Sequence, residues 1–225
     1  MIEKVYYKRM RNAAFAIVCA LGLTIFSTPA RQQNQTPPIR ASALDSHEGM
    51  TIAAEPLTSI DQYKAAFPKK NPFLSGIVAI RVTFRNDSAE SIRVNLSRIR
   101  LSLTLEDDSR QELPSLTSAD VADVVFTAKT KDPSRRPRLP IPLPSSSKVG
   151  HDKNWIELSK AAEEASVRDG VIAPHSSTEG LLYFDLQGQT ELLANARLYV
   201  PELVALEKNR GLMYFDIDLS RANSH

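Results

Sequence analysis

Apolar and polar residues alternate with a period of two along much of this chain. In GIVAIRVTFRN, residues 76–86, every second residue from Val78 to Phe84 is large and apolar, and turn-forming residues follow at 86–88. The alternation returns in residues 92–96 and 99–105. A period of two is typical of strands with one buried face. Three such strands joined by short turns predict an antiparallel sheet.

The same pattern fills the C-terminal third, in GLLYFDL, ARLYV and GLMYFDIDL, and MTIAAEPL predicts a first strand near residue 50. Two helices interrupt the strands. Residues 118–126 follow a Thr117/Asp120 capping pair, whereas residues 155–168 follow an Asn154/Glu157 pair and stop at Gly170. About seven strands with two helices predict a mainly β fold, an antiparallel β-sandwich of two sheets with one or two inserted helices.

Two segments resemble bacterial extracytoplasmic immunoglobulin-like domains of unknown function. In IVAIRVTFRNDSAESIRV a strand passes through an Asn-containing turn into the next strand, and in VIAPHSSTEGLLYFDL a Pro-bearing turn leads into a strand that starts with glycine. The resemblance covers residues 76–106 and 171–186. It implies a secreted immunoglobulin-like β-sandwich, and it implies no activity.

The first thirty residues predict export. Four basic residues precede a continuous apolar run from Ala13 to Phe26, and small, turn-prone residues follow up to Ala30. This order is typical of a signal peptide, and the run of 14 residues is shorter than the roughly 20 that a membrane-spanning helix needs. We expect a signal peptide at 1–30, a flexible linker at 31–48 and a folded domain at 49–225. The alternative is a retained N-terminal helix that tethers an accessory subunit to the membrane.

The charge and the cysteine content exclude some classes of partner and of site. Residues 1–30 hold four of the 28 Lys/Arg and one of the 26 Asp/Glu, so the remainder carries a net charge of −1 rather than +2. This balance does not favour a nucleic-acid partner. The only cysteine, Cys19, lies within the apolar run, so a processed chain has no disulfide, thiolate metal site or cysteine nucleophile.

Two groups of arginines are the candidate binding residues. Arg81, Arg85, Arg93, Arg98 and Arg100 alternate with buried positions of the early strands. Either they pair with Asp185, Asp216 and Asp218 of the later strands, or they form a basic face for an anionic glycan, a lipid headgroup or an acidic partner. The second group, Arg135, Arg136 and Arg138, lies in the Pro-rich basic loop 129–144, whose Pro-x-Pro run favours an extended conformation. This loop is either a contact arm or a plain insertion.

Signs of catalysis are scarce. The chain has no P-loop, dinucleotide fingerprint, His-Glu-x-x-His or Gly-x-Ser-x-Gly motif. A hydrolase site built from His151, Asp152 and His175 stays open as an alternative, and so does a calcium site at the three outward aspartates. We expect a non-catalytic binding or structural protein of the cell envelope that needs no cofactor. Its expected partner is a protein or an anionic envelope component.

Overall fold

The computed structural model describes residues 43–105, 107–128, 152–167 and 170–220. Within these residues the chain is mainly β, as the alternation predicts. The strands in chain order are β1 (Ala43–His47), β2 (Met50–Leu57), β3 (Ile77–Asn86), β4 (Ile92–Val94), β5 (Arg100–Thr104), β6 (Arg110–Pro114), β7 (Val171–Ile172), β8 (Ser176–Asp185), β9 (Ala196–Val200), β10 (Leu203–Ala205), β11 (Arg210–Gly211) and β12 (Phe215–Asp218). The helices are α1 (Ile60–Tyr63), α2 (Ser118–Ala128) and α3 (Lys153–Ala165), and short 3₁₀ turns lie at Pro72–Ser75, Leu96–Arg98 and Thr190–Asn195.

The strands form three four-stranded sheets, in the orders β1-β2-β3-β8, β11-β10-β4-β7 and β12-β9-β5-β6. Neighbouring strands are antiparallel throughout, which confirms that part of the prediction. All three sheets contribute to one hydrophobic core. The apolar positions of β3 from Val78 to Phe84 are fully buried there, as are those of β9 and β12.

The first sheet has a second core on its opposite face. Ile77 and Ala79 of β3, together with Tyr183 of β8, pack against the three helices and Phe67. Because the helices cover only one end of this face, the four residues Ile77–Ile80 are all buried, whereas Arg81, Thr83 and Arg85 further along β3 remain half-buried. A hydrogen bond joins the two longer helices, because Trp155 Nε1 of α3 donates to Asp123 Oδ1 of α2 at 2.7 Å.

A close backbone approach joins α3 to the edge of the first sheet. After α3 the chain passes alongside β8, where Ser166 forms a parallel bridge with Leu181. A Cβ atom on Gly180 would lie 2.4 Å from the main-chain nitrogen of Val167. Only glycine fits at this position, which accounts for the glycine at the start of the GLLYFDL strand.

The structure corrects several expectations. Ala43–His47 forms β1 inside the predicted linker 31–48, because it pairs with β2 through the Glu48-Gly49 turn. The described residues also form twelve strands in three sheets, whereas the alternation predicts about seven strands in two sheets. The successive strands β3, β4 and β5 belong to three different sheets rather than to one. Alternation does not predict this, because it indicates which face of a strand is buried but not which strand lies beside it.

The two predicted helices exist, but α2 extends two residues beyond the predicted end at 126, and α3 differs from the predicted 155–168 at both ends. Thr117 and Asp120 form the expected reciprocal cap of α2, with Thr117 N and Asp120 N each donating to the other side chain at 3.0 and 3.2 Å. Asp152, not Asn154, occupies the N-cap position of α3, and its carboxylate accepts a 3.0 Å hydrogen bond from the Asn154 side chain instead of capping the helix. The helix ends at Ala165 rather than near Gly170, because Ser166 is already extended beside β8.

Two predicted segments lie outside the described residues: the signal peptide 1–30 and the Pro-rich loop 129–144 with Arg135, Arg136 and Arg138. Among the residues that are described, no helix has the length and apolar character needed to cross a membrane.

Candidate functional site

Two adjoining clefts lie along helix α3 on the outside of the first sheet. The apolar residues Leu158 and Ala162 of this helix are buried against β8 and α2. Its polar side carries Lys153, Glu157, Lys160 and Glu164, three to four residues apart and therefore on one side of the helix. This charged side of α3 lines the clefts.

The first cleft, which we call the lysine groove, lies between α3 and the segment 67–70 and has a volume of about 420 Å³. Its floor is apolar, because Phe67 and Leu158 are at most 5% exposed and Pro68 and Ala161 lie beside them. Its rim is charged and consists of three lysines and two glutamates: Lys69, Lys70, Lys160, Glu157 and Glu164. A volume of this order suits a ligand-binding site, for which about 300–1,000 Å³ is typical.

An ion pair joins the two walls of the lysine groove. Lys69 Nζ lies 2.8 Å from Glu157 Oε2, and Lys153 Nζ approaches the other carboxylate oxygen at 3.9 Å. The hydrogen bond from Lys69 and its positive charge hold the pKa of Glu157 below its usual range, and Lys153 adds to the effect. Glu157 is therefore ionised at neutral pH. Lys160 and Glu164 pair at 3.8 Å along the helix.

The third lysine of the rim has a different environment. Within the described part of the chain, the Lys70 ammonium pairs with an aromatic ring and not with a carboxylate, since Nζ lies 3.7 Å from the centroid of Phe126. A cation over a ring face is attracted by the quadrupole of the ring. The charge of Lys70 also contributes to lowering the pKa of Asp152, after the hydrogen bond from Asn154. The rim thus carries more positive than negative charge.

The second cleft, the hydroxyl cleft, adjoins the first and shares Lys160 and Glu164 with it. It has a volume of about 720 Å³ and lies along the edge of β8 at Leu181–Tyr183, where Ser166 and Leu116 form isolated bridges with Leu181 and Tyr183. Its distinguishing feature is a set of side-chain hydroxyls from three parts of the chain: Ser97, Ser115, Thr117, Ser118 and Ser166. Together the two clefts follow α3 from Asn154 to Ser166, so the combined site is elongated rather than round.

The five predicted arginines lie on three sheets or next to them. Arg81 and Arg85 are on β3, Arg93 is on β4, Arg98 ends the 3₁₀ turn Leu96–Arg98, and Arg100 begins β5. Arg81 lies 2.9 Å from Glu55, which is directly opposite on β2, and 3.6 Å from Glu179, which lies diagonally across on β8. Arg85 pairs with Asp87 and Arg98 with Glu202, whereas Arg100 donates to the carbonyls of Ser97 and Ile99. Arg93 is exposed.

Most of these arginines are thus paired, but not with the aspartates of the later strands. Asp216 pairs with Arg197 at 2.8 Å, Asp185 accepts from the Gln187 main chain, and Asp218 accepts from Ser220. No group of three His, Cys, Asp or Glu side chains among the described residues is arranged to hold a metal ion. Each aspartate has its own local partner, so the idea of a shared calcium site has no support here.

The alternative hydrolase site is likewise not assembled in the described residues. His175 is an exposed turn residue between β7 and β8, with a positive φ of 52°. Asp152 occupies the N-cap position of α3, and its carboxylate accepts a hydrogen bond from the Asn154 side chain. No hydrogen bond or ion pair joins these two residues in the part of the chain that is described, and His151 lies outside it.

Sequence reasoning missed the lysine groove. The pattern of α3 identified its apolar side, and the same periodicity marks the charged side that lines the groove. The Lys69-Lys70 pair after Pro68 was the only other signal, but nothing in the sequence shows that it lies opposite residues about 90 positions later, as the Lys69–Glu157 pair requires.

Comparison with known proteins identifies no family. No protein-family model matches the chain, and no curated protein matches its sequence. Among solved structures, the chain is similar to the crystal structure of a functionally unknown protein from Listeria monocytogenes EGD-e, with 13% identity over 80% of this chain and 73% of that one. The TM-score of 0.31 is too low to support an argument about the fold or the function.

Proposed function

We propose that this protein is an exported, non-catalytic binding protein of the cell envelope, and that its helical side binds an acidic, partly apolar segment of a partner protein. One observation carries the binding proposal. The lysine groove combines an apolar floor at Phe67 and Leu158 with a rim on which lysines outnumber glutamates. The apolar side chains of such a segment would pack on the floor of the groove, and its carboxylates would pair with the lysines of the rim.

The shape of the site favours a polypeptide over a compact small molecule. The lysine groove and the hydroxyl cleft run side by side along α3, from Asn154 at one end to Ser166 at the other. Three hydroxyls of the second cleft, on Ser97, Thr117 and Ser166, already donate within the protein, so they offer acceptor oxygens to the amide N–H groups of an extended chain. An extended segment can lie along both clefts, with its carboxylates at the lysine groove.

The finer assignment of the fold is part of this proposal. We take the domain as immunoglobulin-like on the basis of the sequence resemblance, together with antiparallel sheets around a common core. The Asn-containing turn of that resemblance is built around Asn86, which is fully buried and donates to the carbonyls of Glu90, Ile172 and Ala173 at 2.7–3.1 Å. Export is proposed from the order of basic, apolar and small residues in 1–30. A secreted protein beginning at Arg31 in mass spectrometry would support it.

A peptide-display selection on the purified domain tests the binding proposal. We expect enrichment of peptides in which Asp or Glu is mixed with apolar residues. Binding of a synthetic copy of such a peptide should weaken about tenfold, or 1.4 kcal/mol, in Lys69→Ser/Lys160→Ser. The matched control is Lys64→Ser/Lys208→Ser, because those lysines are similarly exposed and are also paired with a carboxylate. Selection of peptides without acidic residues, or equal binding by both double variants, would contradict the proposal.

A further inference from the structure

Glu157 occupies a position in the lysine groove that a carboxylate from outside would also favour. It lies on the second turn of α3 with lysines from two different parts of the chain at its oxygens, Lys69 at 2.8 Å and Lys153 at 3.9 Å. Its side chain remains 37% exposed and lines the groove beside the apolar floor. Solvent, and therefore a ligand, can reach the same lysines.

The pair that Glu157 makes is easy to replace. Lys69 is 76% exposed, and pairs between exposed side chains contribute little to stability because water and salt screen them. A ligand carboxylate that displaced Glu157 would gain the same hydrogen bond from Lys69. The displaced Glu157 would return to water, where an ionised carboxylate is well solvated.

We propose that Glu157 is an internal competitor for the ligand, and that the ligand places a carboxylate on Lys69 in its stead, with an adjacent apolar side chain on Phe67 and Leu158. This inference rests on the proposed function and specifies its ligand as an acidic-apolar peptide. The Lys69–Glu157 pair then weakens binding of that peptide, and the affinity of the groove depends on how readily the pair opens.

The test compares Glu157→Gln with the original protein, using the acidic peptide from the display selection and a copy with Gln and Asn in place of Glu and Asp. We expect Glu157→Gln to bind the acidic peptide about three- to tenfold more tightly and the neutral copy unchanged. Glu48→Gln is the matched control, since Glu48 is exposed, pairs with Arg210 at 2.9 Å and lines neither cleft. It removes the same charge and should leave both affinities within twofold.

The outcomes separate this inference from the proposed function. If the acidic peptide binds, and Lys69→Ser/Lys160→Ser weakens it, but Glu157→Gln binds equally or less tightly, the competitor role is overturned and the groove remains the binding site. An equal gain of affinity in Glu48→Gln also overturns it, because overall charge would then explain the effect. If no acidic peptide binds the domain at all, both the proposed function and this inference are overturned.

Discussion

The hydroxyl oxygen of Tyr63 accepts a 2.7 Å hydrogen bond from the main-chain N–H of Ala79. Strand β2 ends at Leu57, the residue that pairs with Ala79, and the Tyr63 hydroxyl donates to the Leu57 carbonyl at 3.2 Å. A side chain from α1 therefore completes the hydrogen bonding of the sheet at the point where the helices begin to cover it. Tyr63 is fully buried, so no water is available to replace its hydroxyl.

Replacing Tyr63 by phenylalanine should destabilise the domain by about 1–3 kcal/mol, because the buried N–H of Ala79 would lose its acceptor. Urea unfolding followed by circular dichroism measures the change. Tyr214→Phe serves as the control, since Tyr214 is 52% exposed, and it should change stability by less than about 0.5 kcal/mol. Equal stability of the two variants would show that the Ala79 hydrogen bond contributes nothing.

Stability should fall as the pH rises from about 10 to about 12. Burial raises the pKa of Tyr63 from 10.0 to about 12, and burial also raises the pKa of Tyr183. In this range the unfolded chain loses phenolic protons that the folded chain keeps, so alkali favours unfolding. The free energy of unfolding of the original protein should therefore drop more steeply between these pH values than that of Tyr63→Phe. Parallel curves for the two proteins would argue against a raised pKa at Tyr63.

Gly180→Ala should destabilise the domain by about 1–3 kcal/mol, the usual cost of forcing an extra group into a closely packed site. The new Cβ would lie 2.4 Å from Val167 N and 2.6 Å from the Ser166 carbonyl carbon, and main-chain atoms cannot rotate away. Gly211→Ala provides the comparison, because nothing lies within 4 Å of a Cβ there. Thermal denaturation should separate the two variants by several degrees, and coincident midpoints would refute the close approach.

The arginines of the Pro-rich loop are tested separately from the groove. If Arg135, Arg136 and Arg138 form a contact arm, changing all three to serine should weaken association with envelope fractions and leave thermal stability nearly unchanged. Changing them to lysine preserves the charge, so association should persist where the contact is electrostatic. Sedimentation with isolated envelopes measures the association of the serine and the lysine variants. Undiminished association of the serine variant would remove the loop from the binding surface.

The sequence alone determined which faces of the strands are buried. Phe84 in β3, Leu198 in β9 and Ile217 in β12 occupy the core as their alternation predicts, because a period of two fixes the side of a sheet on which each residue lies. It also determined the start of α2, since the Thr117/Asp120 cap is a local interaction between residues three apart.

Only the tertiary structure decided which strands are neighbours and where the clefts lie. Alternation is the same whichever strand pairs with β4, so placing β3, β4 and β5 in three sheets depends on contacts between distant residues. The pairing of Lys69 with Glu157 is of the same kind, because the two residues meet only when α3 packs beside residues 67–70. Local patterns carry information about a residue's own element, whereas a groove between elements arises from packing that joins separate parts of the chain.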